Sequence, residues 1–365
     1  MFKKKIFQII KIKFCKKIKT DLKIYILIFV TFIFIIEGIL NTNLKNNSFI
    51  KQRISMNDSF NKQRISMNDS LIKQRISVSY GINNHYTYPT LVSMISILEN
   101  SSNYTFYTFH LLVQKNIFKK ENKEKFMHLE KKYKRCKINI IELTNENFSN
   151  ANKNRYPIEA YYRLLLPKLI VDIDRIIYLD ADTLVFTDLT EMINLEMNNC
   201  IILGFVDNSY KKAEQWGIKT YKYITSGVLL INLKEMRKEN IIQKFFEFME
   251  NNKNNLIQED QTVINIVLHG RIGLLPPKFG IWSFLNKESV LYHNHYENKT
   301  LGIQAYSDEE ILKAWKSPSI IHLVRSKPWK KKSYYTHIFF HEKWWEYAHK
   351  SDEFENILKF TGGKK

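Results

Sequence analysis

The chain has 365 residues, 44% hydrophobic and 14% aromatic, enough to bury a large core, which excludes a wholly disordered protein. Its formal charge is +20, but residues 1–75 hold sixteen lysines and arginines against four acids, so most of the excess lies there. No nucleic-acid recognition motif accompanies the lysine clusters further on, so no nucleic-acid partner is expected. Cys15, Cys136 and Cys200 make neither a disulfide framework nor a zinc pattern.

Residues 1–23 form a basic tail with nine lysines and one acid. The run "IYILIFVTFIFIIEGIL", 24–40, follows at the short end for a membrane span. A cleaved signal peptide competes with this reading, but the run exceeds a usual signal core and no small-x-small site follows it. An uncleaved transmembrane anchor is the expectation. The preceding lysines put the N-terminus in the cytosol and the rest in a lumen, as a single-pass type II protein of the Golgi or endoplasmic reticulum. Residues 41–75 read as a low-complexity stem, with "KQRIS" at 51, 62 and 73. Glycosylation sequons at Asn46, Asn57, Asn68, Asn100, Asn103, Asn147 and Asn298 agree with a lumen, though an Asn-rich chain makes them by chance.

From residue 76 the texture is globular. "ISVSYG" reads as a strand ending at Gly81, and "PTLVSMISILENS" as a helix opened by Pro89. "YTFYTFHLLV" and "KINIIEL" are strands either side of a charged helix at 119–134. "IEAYYRLLLPKLI" reads as a helix and "RIIYLD" as a fourth strand. "CIILGFVD", "SGVLLINL" and "SIIHLV" are later strands. "KEMRKENIIQKFFEFMENN" and "EDQTVINIVLHG" are helices, and "HEKWWEYAHKSDEFENILKF" is a C-terminal aromatic helix. Such alternation implies an α/β fold with a mostly parallel sheet, 76–361 forming one domain, and ligands beyond the carboxyl ends of the strands.

Asp180 and Asp182 stand at such an end, in "RIIYLDADTLVF". Alternation aims both carboxylates one way with Ala181 opposite, which suits a divalent cation on a diphosphate. A turn or cap role for both acids stays open. His322 closes a late apolar strand with Lys327 five residues on; it is a third metal ligand or a structural histidine. Asp260 and Gln261 open a helix, where Asp260 as a cap is the plainer reading. Arg163 sits mid-helix, where a surface ion pair is the default.

Taken together, "YYRLLLP", "RIIYLDADTLV", "TSGVLLINL", "EDQTVIN" and "IIHLVRSKPW" resemble the retaining glycosyltransferases of family 8, in that family's order, from about Ile76 to about Ile357. The resemblance implies a nucleotide-sugar-binding, Rossmann-like fold of the GT-A type. It implies a divalent cation, usually manganese, and hexose transfer, from UDP-glucose or UDP-galactose, to a glycan, protein or lipid acceptor. It implies Asp180, Asp182 and His322 as metal ligands and Lys327 on the diphosphate. Asp260 would bind sugar hydroxyls, Gln261 would lie opposite the leaving group, and both would be catalytic. Arg163 would reach the donor sugar. Gly81, Asn83 and His85 would line the uridine pocket, with Ala181, Thr225 and Ser226 also on the donor.

Three departures stand out. Asn83 and Asn84 replace customary acids, Thr225 replaces an asparagine, and the His322–Lys327 loop is one residue short, with Arg325 near the place of its usual glycine. A catalytically inactive binding or scaffold protein of the same fold is the competing reading; the intact acid pair and His322 oppose it.

Overall fold

The computed structural model describes residues 72–148, 157–207, 214, 216–218, 223–252, 259–283, 305–325, 327–330 and 338–362. The expected tail, anchor and nearly all of the stem lie outside the described residues, as do the sequons at Asn46, Asn57, Asn68 and Asn298. Among the described residues no helix is long and apolar enough to cross a membrane. Ile72–Lys365 forms one compact unit.

The strands are β1 (Gln74–Gly81), β2 (Thr105–Gln114), β3 (Cys136–Leu143), β4 (Arg175–Leu179), β5 (Thr183–Val185), β6 (Ile202–Val206), β7 (Ile224–Asn232), β8 (Ile272–Leu274), β9 (Ile281–Trp282) and β10 (Ile320–His322). The helices are α1 (Thr87–Asn100), α2 (Lys120–Lys132), α3 (Leu166–Leu169), α4 (Thr190–Ile193), α5 (Leu233–Lys238), α6 (Ile241–Asn251), α7 (Glu259–Val267), α8 (Asp308–Lys316), α9 (Ile338–His349) and α10 (Phe354–Phe360).

The main sheet has the order β3-β2-β1-β4-β7-β6-β8. The pairings β3–β2, β2–β1, β1–β4 and β6–β8 are parallel, as expected of α/β alternation. β7 runs antiparallel to both neighbours, so the parallel half gives way to a mixed half at β4–β7. Both faces are covered. Ile177, Leu179, Val228 and Leu230 enter the larger apolar cluster with α1, and Ile176, Tyr178, Leu229 and Ile231 enter a second one with Tyr161, Tyr162 and Val263. Period-2 alternation in β4 and β7 thus feeds two cores from one sheet.

Four features differ from the sequence reading. A second sheet, β5-β10-β9, leaves the main one at Asp180–Asp182. The 158–170 helix is a 3-10 helix, Ile158–Leu165, followed by α3 with Pro167 in its first turn, where a missing N–H costs nothing. The 234–252 helix breaks into α5 and α6 at Asn240, whose φ of 50° is left-handed. The C-terminal helix divides into α9 and α10. The third "KQRIS" copy also supplies the start of β1, with Gln74 opposite Thr105 and Arg75 opposite Phe106, so the folded domain begins just before the expected 76. Cys136 and Cys200 are free thiols, the first buried.

Two neighbouring sequons separate cleanly. Asn103 is exposed in the turn before β2. The Asn100 amide nitrogen instead donates to the carbonyls of Ser96 and Val185 and to the Tyr347 hydroxyl, tying α1 to β5 and α9. Replacing Asn100 with alanine is expected to leave buried acceptors unpaired and to cost about 1–3 kcal/mol in urea unfolding, against under about 0.5 for Asn103→Ala.

Candidate active site

β4 ends at Leu179, and the chain turns through Asp180, Ala181 and Asp182 before β5. Ala181 joins the apolar core while the flanking carboxylates aim the other way. The turn is fixed at both ends: the Asp180 amide donates to the Gly227 carbonyl at 2.7 Å, and the Leu323 amide donates to the Asp182 carbonyl at 2.8 Å. Because β10 pairs antiparallel with β5, His322 falls opposite Thr183 and beside the acids. His322 Nε2 lies 3.1 Å from Asp182 Oδ1 and 3.8 Å from Asp180 Oδ2. One ligand atom from each of the three residues can lie within 4.8 Å of the others.

Gly227 on β7 makes this convergence possible. A Cβ there would stand 2.1 Å from His322 Cε1 and 2.7 Å from Asp180 Oδ2. The imidazole occupies the room a side chain would take. His322 Nδ1 is buried without a hydrogen-bond partner. Two hard carboxylates and one imidazole, with that unpaired nitrogen, fit a divalent cation of the magnesium–manganese–zinc kind. Lys327 reaches in from the next loop, with Nζ against Asp182 Oδ2 and the Leu323 carbonyl. Burial raises the Asp182 pKa, but the Lys327 and His322 charges outweigh it and hold this carboxyl well below the usual range.

Arg163 is not a surface residue. It lies in the 3-10 helix, 6% exposed, with its guanidinium over the Tyr178 ring at 4.1 Å. Its terminal nitrogens bond the Ser226 carbonyl and Asp180 Oδ1, the latter at 2.9 Å. Nε is 3.1 Å from Asp260 Oδ2, but its N–H donates to the Ala160 carbonyl, so Asp260 Oδ2 has a charged neighbour without a directed bond. Asp260 is buried at the start of α7. Burial drives its pKa up to about 6; Arg163 opposes this and Asp180 adds to it.

Gln261 is held at both ends of its amide: Oε1 accepts from the Ser226 amide at 3.1 Å, and Nε2 donates to Asp207 Oδ2 at 2.5 Å. Asp207, buried just past β6, is a site residue that the sequence reading missed. Its signal was an acid closing an apolar strand, the pattern of Asp180. Thr225, also buried, accepts from the Gly227 amide through its hydroxyl.

At the neighbouring end of β1, a Cβ on Gly81 would lie 2.4 Å from the Glu159 carbonyl, so glycine lets the 3-10 helix approach. The Asn83 side chain caps the turn that follows, accepting from the amides of His85 and Tyr86. Asn84 faces away from the acids, bonding Ile117, Lys119 and Asn122. His85 is exposed against Phe360. Direct contacts thus gather Asp180, Asp182, His322, Lys327, Arg163, Asp260, Ser226 and Gln261, whereas Asn83 and His85 belong to an adjoining loop. Arg325 is exposed with φ 65°, so this loop keeps a glycine-type backbone without glycine.

The profile of the group described as Glycosyl transferase family 8 matches residues 77–333. A Haemophilus influenzae protein named "Putative glycosyltransferase" is 31% identical over 207 residues, 54% of this chain; the match spans only 61% of that protein. The Escherichia coli "Lipopolysaccharide 1,2-glucosyltransferase" is 27% identical over 290 residues, 74% of this chain and 84% of that one. The structure of galactosyltransferase LgtC, with donor and acceptor sugar analogs, matches with a TM-score of 0.62 at 20% identity. It covers 78% of this chain and 100% of that one, and shows likeness of fold.

Two outcomes follow from the geometry. Gly227→Ala should push His322 and Asp180 apart and weaken metal binding by roughly 10–100-fold, read by manganese titration, with the fold retained by circular dichroism. Asp260, with its folded pKa raised from 3.8 to about 6, favours the native state while protonated. That contribution is complete below 3.8 and lost as pH rises through about 6. Asp260→Asn should therefore flatten the fall in unfolding free energy between these values, measured in urea.

Proposed function

The chain belongs to glycosyl transferase family 8, and from that premise we propose a metal-dependent hexosyltransferase that takes glucose or galactose from a UDP-sugar with retention. The observation that carries this is the meeting of Asp180, Asp182 and His322 in the room left by Gly227. When bound there, a divalent cation, manganese in this reading, supplies Lewis-acid stabilisation of the departing diphosphate. Asp180, Asp182 and His322 hold it. Lys327, now on Asp182, is placed to transfer to diphosphate oxygens.

Gly81, at the end of β1, and Asn83 and His85, on the β1–α1 connection, line the side of the nucleoside. Arg163 and Asp260 sit beside Asp180, where they bind hydroxyls of the donor sugar, with Thr225, Ser226 and the backbone of Ala181 shaping the floor. Gln261 is fixed between Ser226 and Asp207. An amide so held orients a sugar but is a poor nucleophile. Retention is then achieved by attack from the face the diphosphate leaves, its oxygens accepting the acceptor's proton.

The name of the E. coli relative supports a hexose donor and a glycan acceptor. The lysine-rich tail and apolar run at 24–40 support membrane anchoring with the catalytic unit in a secretory lumen.

The test is to incubate the full-length protein with manganese and a panel of nucleotide sugars, measuring released UDP. UDP-glucose or UDP-galactose should turn over, chelation with EDTA should stop the reaction, and Asp182→Ala should lower turnover at least about a hundredfold. Absence of turnover with every UDP-hexose would favour an inactive binding module, whereas turnover at an unaltered rate in Asp182→Ala would overturn the role given to the acid pair.

A further inference from the structure

Helices α9 and α10 lie beyond the segment that the family profile matches, residues 77–333. They nevertheless touch both loops that the reading above assigns to the donor. On α9, Trp344 is 1% exposed and packs on Trp329 with ring centroids 5.3 Å apart. Trp329 stands two residues after Lys327. His341, also on α9, lies beside the backbone of Pro328, between Lys327 and Trp329. On α10, Phe360 packs on His85 and on Tyr88, each at 5.3 Å.

The two contacts are joined. Trp329 meets Tyr86 edge-on at 6.5 Å, and Tyr86 meets His85 edge-on at 5.7 Å. Trp344, Trp329, Tyr86, His85 and Phe360 therefore form one aromatic row. It starts in α9, crosses the lysine loop and the β1–α1 loop, and ends in α10. The helices are themselves fastened to the scaffold. Tyr347 accepts from Asn100, Lys350 lies 2.6 Å from Glu99, and Lys132 bonds Asp352. An aromatic pair of this kind contributes about 0.5–1.5 kcal/mol beyond its buried area, so a row of four contacts fixes a loop more firmly than turn chemistry alone. The loop needs such help: Arg325 holds a left-handed backbone that a non-glycine residue adopts at a cost.

We infer that α9 and α10 are a working part of the donor site. They set the spacing between the lysine loop and the β1–α1 loop, and so determine affinity for the nucleoside diphosphate. His341 and Phe360 act as positioning residues, since neither touches the acid pair. The inference rests on the donor reading above.

The experiment uses the full-length protein, calorimetric titration with UDP and manganese, and steady-state kinetics on the UDP-sugar that turns over. Phe360→Ala and His341→Ala should weaken UDP binding and raise donor KM roughly tenfold while kcat stays within about twofold, because loop spacing affects binding of ground and transition states alike. Phe360→Tyr should restore most of the affinity. A structural role alone would lower the melting temperature or the active fraction and leave KM unchanged. Wild-type protein that binds UDP as tightly as both alanine variants do would overturn the inference by itself. Wild-type protein that binds no UDP would instead remove the donor reading and this inference with it.

Discussion

The site depends on the buried guanidinium of Arg163. Asp180, Asp182, Asp207 and Asp260 crowd the carboxyl ends of β4 and β6 and the start of α7, three of them under 10% exposed. Acids so close repel strongly at the low effective dielectric of an interior. Arg163 ties two of them, Asp180 and Asp260, to the Ser226 carbonyl on β7. Lys327 answers Asp182, and Gln261 answers Asp207 by hydrogen bond without charge. Arg163 and Lys327 thus each answer one acid of the Asp180–Asp182 turn.

The geometry has a second source, the divergence of two sheets. β4 stays in the main sheet while β5, three residues later, pairs with β10. The Asp180–Asp182 turn is the branch point. A strand ending in the main sheet thereby brings its acids against a histidine from the minor one. The branch is tight enough that β7 must offer a glycine where the imidazole passes. This edge also lies where the sheet changes from parallel to mixed pairing, the kind of place where α/β sheets open a ligand crevice.

Much of this was legible in the sequence. The apolar runs at β1, β2, β3, β4 and β7 are long or alternating, and the parallel α/β core follows from their order. The aspartate turn was legible because two acids closing an apolar strand conflict with burial unless they have partners. The minor sheet was not, because β5, β9 and β10 are three residues or fewer and their pairing is entirely non-local. Arg163 reads as an ordinary helix arginine, since its burial comes from Tyr178 and two acids distant in sequence. Asp207 was passed over because a single acid after a strand is also what a turn looks like. The break at Asn240 was hidden by a helical pattern that continues across it, and only the left-handed φ reveals it.

Departures from the family pattern gain meaning from where they fall. Thr225 replaces an amide but still presents a buried oxygen, which accepts from Gly227. Asn83 replaces an acid, yet its carbonyl caps the turn before α1, the acceptor's role a carboxylate would also fill. Arg325 takes a backbone conformation that favours glycine. Each substitution changes what the side chain can offer. Arg163, Asp180, Asp182, Asp260, His322 and Lys327 are unaltered from the pattern. The departures thus fall on β7 and on two loops beside the branch point, while the acids, His322 and the two cations at the branch point match the pattern, which is the division expected if the chemistry is common and the choice of sugar is individual.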